Sequence, residues 1–335
     1  MAEQRKLGWG ILGASRMAAT MLPSLLQAHN AKLIAVASRR KGAAAEIVKS
    51  APQLNGVKTF DHPDFLLEDP EVEAVYLPMA NEEHASWALT CLEHGKHVLV
   101  EKPFALREHE VDAIAQAAQT RRLKVMEGFM YRFHPQHQRI IEVLRSGVLG
   151  EVRTVRACFS FLMTPQRLYR VSRSIEQGGG AMWDIGCYAV HCARWFFNHP
   201  PKAVFTLAKF NEHGADVSDC GLLDFGEGRY ASLDFSYERA RRAEYEIIGT
   251  LGGIKCHNVW AKPGEMPVIS WWTEKGQYGQ ECLLPADHFR LEIEHFSDCV
   301  LSDKPPALTL EDAKENCRTL VAAIRSIRER QVIEL

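Results

Sequence analysis

Three short segments hold side chains whose types and spacing could do chemistry. Glu101-Lys102-Pro103 closes the apolar run Val98-Leu99-Val100. An ammonium at that point can hydrogen-bond an oxygen and stabilise negative charge as it develops. Pro103 restricts the preceding residue to extended backbone, which fixes where Lys102 starts from. Asp184 and Tyr188 stand four residues apart in a helical pattern, so they share a face. A phenol close to an ammonium has its pKa lowered and exchanges a proton with a hydroxyl. The third segment, Gly13-Ala14-Ser15-Arg16-Met17-Ala18, joins a strand pattern to a helix pattern. Taken singly, each has a plainer reading: a surface lysine, a half-buried core aromatic, a tight turn in some other doubly wound fold.

The spacing Gly8, Gly10, Gly13 satisfies Gly-x-Gly-x-x-Gly literally, yet its first two members fall inside the strand. A dinucleotide fingerprint belongs at the strand's carboxyl end, opening a helix. The frame that fits is Gly13, Ser15 and Ala18. Gly13 permits the tight turn, Ser15 is small and adds a hydroxyl, and Ala18 allows close helix packing. Ala14, Arg16 and Met17 contribute the amides that face a pyrophosphate. About 20 residues on, NAD enzymes carry an acid for the ribose 2′-hydroxyl. Here Ala37-Ser38-Arg39-Arg40-Lys41 contains none. A hydroxyl and a guanidinium suit a 2′-phosphate instead, so the expected cofactor is NADP rather than NAD, with Ser38 and Arg39 as contacts. A solvated basic helix start is the plainer alternative.

These residues need a scaffold. Strand patterns over Leu7–Leu12, Lys32–Ala37, Ala74–Pro78, His97–Glu101 and Leu123–Glu127 alternate with helix patterns over Arg16–Ala28, Lys41–Ser50, Glu83–Glu93 and Glu108–Gln119. That alternation predicts an α/β fold with an N-terminal Rossmann domain, a doubly wound parallel sheet, over residues 1–125. After Gly150 the strands Val152–Phe161, Ala203–Phe210, Gly221–Phe225, Tyr230–Tyr237 and Ala243–Gly249 follow with few helices between. Residues 126–335 are therefore expected to form a C-terminal α+β domain with a large, mostly antiparallel open sheet. One helix, Met182–Phe197, follows Gly178-Gly179-Gly180, and two more, Phe289–Val300 and Glu311–Arg330, close the chain.

Composition sets limits. With 335 residues, 46% hydrophobic and 24% charged, the chain can bury two cores, and a net charge of -2 gives no field for nucleic acid. Nine cysteines without a Cys-x-x-Cys pair suggest thiols in a reducing cytoplasm. No run suits a signal core or a membrane span. His134 and His137 flank Pro135 without a third ligand, so no metal is expected. His191, three beyond Tyr188, reads as packed.

Gly95-Lys96-His97-Val98-Leu99-Val100-Glu101-Lys102-Pro103 resembles the Glu-Lys-Pro segment of the Gfo/Idh/MocA oxidoreductases. Leu77 to His84 resembles the loop after that family's fourth strand, and Gly178 to Tyr188 its glycine-led helix bearing an Asp and then a His or Tyr. Gly249-Thr250-Leu251-Gly252-Gly253 matches late in the chain. Met126 to Pro135, with Tyr188, is most similar to dimeric dihydrodiol dehydrogenases and NADP-dependent D-xylose dehydrogenases. The resemblance implies hydride transfer between NADP and a sugar, polyol or cyclic diol. It casts Tyr188 as general acid/base, Lys102 as its electrostatic partner, and Asp184 as a substrate-hydroxyl or orienting group. Asn81, His84, Glu101, Lys102 and Arg132 would lie along the cofactor. A small-molecule substrate, a homodimer or higher homo-oligomer, and neither nucleic acid nor membrane as partner complete the expectation. Two rivals stay open: a ketoreductase of sugar or nucleotide-sugar metabolism, and a non-enzymatic NADP-sensing regulator.

Overall fold

The computed structural model describes residues 5–49, 52–260 and 263–335. Strand β1 (Leu7–Leu12) is buried at every position, as a strand covered on both faces must be. It leads through α1 (Arg16–Gln27), β2 (Ala31–Ala37), α2 (Ala43–Lys49), β3 (Lys58–Phe60), α3 (Pro63–Leu67) and β4 (Ala74–Leu77). Then come α4 (His84–Glu93), β5 (His97–Glu101), α5 (Glu108–Arg121) and β6 (Val125–Gly128). The helix expected over Lys41–Ser50 is α2; Ser50 itself lies outside the described residues. These six strands form one parallel sheet in the order β3-β2-β1-β4-β5-β6. The chain leaves β1 toward β2 and returns on its other side as β4. That reversal opens a crevice at the strands' carboxyl ends, where such sheets take ligands.

Gly8 and Gly10 do lie within β1, and packing explains them. An added Cβ at Gly8 would sit 1.9 Å from the Glu71 carbonyl oxygen, and one at Gly10 would sit 2.8 Å from Leu66.

The rest of the chain supplies α6 (Pro135–Arg145), β7 (Val152–Ser160), α7 (Cys187–Phe197), β8 (Ala203–Phe210), β9 (Asp216–Gly226), β10 (Arg229–Ser236) and β11 (Arg242–Gly249). After them run β12 (Gly252–Cys256), β13 (Val268–Thr273), β14 (Tyr278–Cys282), α8 (His288–Leu301), α9 (Leu310–Glu329) and β15 (Ile333–Glu334). Nine strands make a second sheet, β14-β13-β12-β11-β7-β10-β9-β8-β15, in which β7 and β10 run parallel and the other neighbours antiparallel. Sequence patterning placed five of these strands and missed β12 to β15. It also missed α6, although His134 followed by Pro135 marks a helix start: His134 Nδ1 accepts from the Gln136 amide, and Pro135 fills the first helical position.

Two compact units result. Described residues up to Met130 group with Asp287–Lys314, and Tyr131–Ala286 groups with Glu315–Leu335. Helix α8 thus belongs with the parallel sheet, where the Trp9 indole donates to Ser297 Oγ at 3.0 Å and its ring lies tilted 5.5 Å from Phe296. Asp287 caps α8 through the Phe289 and Arg290 amides and also accepts from Ser24. Within the second unit, α7 and α9 cover one face of the nine-stranded sheet; Thr206, for example, donates to the Ala323 carbonyl of α9. On the opposite face Leu207, Leu222 and Tyr230 are each about half exposed.

Candidate active site

In the first unit, β1 ends at Gly13, whose φ of +126° is a conformation that favours glycine. Its amide donates to the Ala37 carbonyl, tying the turn to β2, and an added Cβ would lie 2.8 Å from Met79 Sδ. Ser15 is the N-cap of α1: its Oγ accepts from Ala18 N at 3.2 Å, while its own proton stays available to a ligand. The amides of Arg16 and Met17 start the helix. Such a start carries partial positive charge with unsatisfied donors, suited to a pyrophosphate.

At the end of β2, Ser38 is buried and its Oγ accepts from the Arg40 amide. Arg39 pairs with Glu83 and lies 5.9 Å from the Trp87 ring centre. That pair is solvent-exposed and worth at most ~1 kcal/mol, so a dianionic phosphate can displace it. Arg40, which the sequence reading did not name as a contact, reaches over the turn to donate to the Ala14 carbonyl. A glycine cradle, a capped helix start and two guanidiniums with no acid at the end of β2 fit a 2′-phosphorylated dinucleotide.

Lys102 is half-buried at the carboxyl end of β5, and its backbone is held from several directions. Glu101 accepts from Tyr76 OH at 2.6 Å and from the Lys102 amide at 3.3 Å. Glu127 accepts from the Phe104 amide at 2.8 Å, beyond the cis Lys102–Pro103 peptide. His84 sits fully buried at the start of α4, with Nδ1 2.7 Å from the Pro103 carbonyl and Nε2 3.2 Å from that of Met79. The shorter contact assigns the proton to Nδ1. Burial outweighs both carbonyls and lowers the His84 pKa to about 4, so the ring is neutral at pH 7. Sequence reading set Glu101 and His84 along the cofactor; in the fold both hold the turn that presents Lys102. Asn81 is half-buried and opens the short turn Asn81–Glu83 before His84.

In the second unit, the expected helix Met182–Phe197 begins as one π-helical turn, Met182–Gly186, and continues as α7. Single π turns of this kind recur at functional sites. The Asp184 carboxylate pairs with Arg170 and accepts from Tyr237 OH at 2.6 Å. Asp184 and Tyr237 are buried and Arg170 is half-buried. Removing one partner of such a pair costs about 3–5 kcal/mol, so the cluster is a fixed part of the site. Arg170 also interacts electrostatically with Tyr188. Tyr188 is 6% exposed and packs edge-on against Trp260, Tyr131 and Phe159, with ring centres 5.0, 6.0 and 6.1 Å away.

Behind it His191 is buried, its Nδ1 2.5 Å from Tyr131 OH and its Nε2 3.5 Å from Arg132. The Arg132 guanidinium lies 3.9 Å over the Trp195 ring. His137 pairs with Tyr245 OH at 2.7 Å, and among the described residues no cluster of three His, Cys, Asp or Glu side chains is placed to hold a metal. Arg170 and Tyr237 escaped the sequence reading because both reach Asp184 from outside its helix. The one local cue was the run of arginines at 167, 170 and 173 ahead of the triple glycine.

Comparison with known proteins agrees with this architecture. Residues 7–129 match the oxidoreductase family with an NAD-binding Rossmann fold, and residues 137–255 match the GFO/IDH/MocA C-terminal domain. A dTDP-3,4-didehydro-2,6-dideoxy-alpha-D-glucose 3-reductase from Actinomadura kijaniata is 33% identical, over 95% of this chain and 94% of its own. The chain belongs to the Gfo/Idh/MocA oxidoreductase family. Another relative, D-xylose 1-dehydrogenase (NADP(+)) 2 of Haloferax volcanii, is 29% identical over 98% of this chain and 99% of its own. The crystal structure of the A. kijaniata 3-ketoreductase KijD10 with NADP and TDP-benzene superposes with a TM-score of 0.88, at 29% identity, covering 96% and 98% of the two chains. As a member of this family the chain is an oxidoreductase, and among its described residues no helix is long and apolar enough to cross a membrane.

Proposed function

We propose that this oxidoreductase uses NADP to transfer a hydride to or from a sugar, polyol or cyclic diol hydroxyl carbon. The observation that carries the reading is the support given to Lys102. Two buried carboxylates and a buried neutral histidine fix the backbone from which it projects, at the carboxyl edge of a doubly wound sheet. NADP-dependent relatives that act on D-xylose or on a dTDP-linked ketosugar support the same cofactor and substrate class.

Bound NADP supplies the hydride acceptor or donor at C4 of its nicotinamide. The residues do the rest. Ala14, Ser15, Arg16 and Met17 bind the pyrophosphate on a turn shaped by Gly13 and Ala18, and Ser38 and Arg39, with Arg40, bind the 2′-phosphate. Lys102 donates to the reacting oxygen and stabilises its negative charge. Tyr188 exchanges the proton of that oxygen, and Asp184, already held by Arg170 and Tyr237, orients a neighbouring substrate hydroxyl. Asn81 and Arg132 border the cofactor, while Glu101 and His84 act through the turn.

The same groups serve reduction, and the 33% identity to a dTDP-ketosugar reductase favours that direction as a second reading. Absorbance of the reduced nicotinamide separates the two: NADP with aldoses, polyols and trans-dihydrodiols tests oxidation, and NADPH with dTDP-linked ketosugars tests reduction. Turnover of neither panel overturns the substrate class. Cofactor choice has its own test. Wild-type kcat/KM is expected to be higher with NADP than with NAD, and Arg39→Glu lowers the NADP value by about tenfold or more while sparing NAD. A wild-type preference for NAD contradicts the assignment.

We assign the exposed sheet face bearing Leu207, Leu222 and Tyr230 to a homodimer contact, because apolar patches of that kind seldom stay bare on a monomer. A cytoplasmic location suits the nine free thiols.

A further inference from the structure

Strand β9 begins with a bulge. Ser218 pairs with Lys209 and Asp216 pairs with Phe210, so Val217 is the extra residue. Regular alternation would send Asp216 and Asp219 to opposite faces of the sheet; the bulge brings them to one. Both are buried at 0% and 1% exposure. Asp216 Oδ2 accepts from the Met182 amide at 2.5 Å. That is the first amide of the π turn that carries Asp184 and leads to Tyr188. The approach is close enough to require glycine beside it: a Cβ on Gly180, at φ +98°, would stand 1.7 Å from Asp216 Oδ1.

Asp219 receives no N–H or O–H donor among the described residues, and the bulge sets it on the same buried face as Asp216. Two buried carboxyls so placed satisfy one another only when one donates a proton to the other. Asp216 already accepts from the Met182 amide, so the proton belongs on Asp219. We propose that Asp216 and Asp219 form a proton-sharing clamp on the start of the helix bearing Asp184 and Tyr188, and that both are positioning residues for proton transfer at Tyr188. The role in turnover rests on the reading of Tyr188 given above; the clamp itself does not.

Burial, then the charge of Asp216, raises the Asp219 pKa. The other ionisable groups around the pair are Cys220 on β9, Tyr237, which also faces Arg170 and Cys187, and Arg239, which is bound to Asp234 and Ser218. The folded pair holds more protons than the unfolded chain. Its contribution is therefore complete below the unfolded carboxyl pKa of about 4 and is lost as pH rises through the folded value. Above that value two adjacent buried carboxylates repel and the clamp opens.

Hydrogen exchange of amides 181–188, read alongside kcat and KM, tests this. Asp216→Ala is expected to speed exchange there and to lower kcat about 10–100-fold with KM changed less than about threefold. Asp219→Leu removes the donor and is expected to do the same. Asp219→Asn keeps a donor toward Asp216, and so restores protection and moves the alkaline loss of activity to higher pH. Unchanged exchange in Asp216→Ala overturns the clamp, as does an Asp219→Asn that exchanges as fast as Asp219→Leu. Faster exchange with unchanged kcat overturns the positioning role. If the wild-type enzyme turns over none of the proposed substrates, the functional reading fails while the exchange result still judges the clamp.

Discussion

Replacing Lys102 with methionine is expected to lower kcat about a thousandfold, or ~4 kcal/mol of transition-state stabilisation, and to leave the Kd for NADP within about threefold. The asymmetry follows from the fold. Lys102 follows β5, whereas the glycine turn and the basic residues follow β1 and β2, on the other side of β4. Methionine keeps the length and much of the volume of the side chain. The turn keeps its shape because Glu101, Glu127 and His84 each bind a backbone atom of it. Single-turnover kinetics with saturating NADP, and fluorescence titration of the cofactor, read the two quantities separately. A loss of kcat smaller than about fivefold would remove Lys102 from the chemistry.

Tyr188→Phe should cost nearly as much, about 10²–10⁴-fold in kcat, for a different reason. It deletes the oxygen proposed to exchange the proton and keeps the ring that packs against Trp260, Tyr131 and Phe159. Folding and cofactor affinity are expected to stay near wild type, and the limb of the pH–rate profile that belongs to the phenol should vanish. Near-normal turnover would reassign the acid/base role. His191, bound to Tyr131 and Arg132 three residues further along the same helix, would be the next residue to test.

Five strands of the first sheet were legible in the sequence because each is short and apolar on both faces; the edge strand β3, Lys-Thr-Phe and largely exposed, was missed for lack of that signal. Those are local properties, and the parallel order follows from them. The frame Gly13, Ser15, Ala18 was legible for the same reason: a cap and a positive φ are decided within a few residues. The helix that carries Asp184 and Tyr188 was legible too, although its first turn is π-helical rather than α-helical.

What the sequence did not reveal depends on contacts across long separations. Tyr237 meets Asp184 from 53 positions away, and Asp216 meets Met182 from 34. Ser297 meets Trp9 from 288 positions away, which is why α8 could be read as a helix but not assigned to its sheet. Hydrophobic periodicity reports that a helix has an apolar face, not which surface will cover it. Strands β12 to β14 were missed because their alternation is thin: β14 is Tyr-Gly-Gln-Glu-Cys, and Gly252 and Gly253 open β12. An added Cβ at Gly253 would lie 2.3 Å from the Trp272 ring, so cross-strand packing rather than propensity selects that glycine.

Incubating the enzyme with NADP and an aldose or polyol deuterated at the reacting carbon tests the central claim most directly. Deuterium is expected at C4 of the nicotinamide, with a primary isotope effect on the chemical step, and loss of both signals in Tyr188→Phe. Product formed with the label released to water, or label transferred equally well by the Lys102→Met and Tyr188→Phe enzymes, would contradict it.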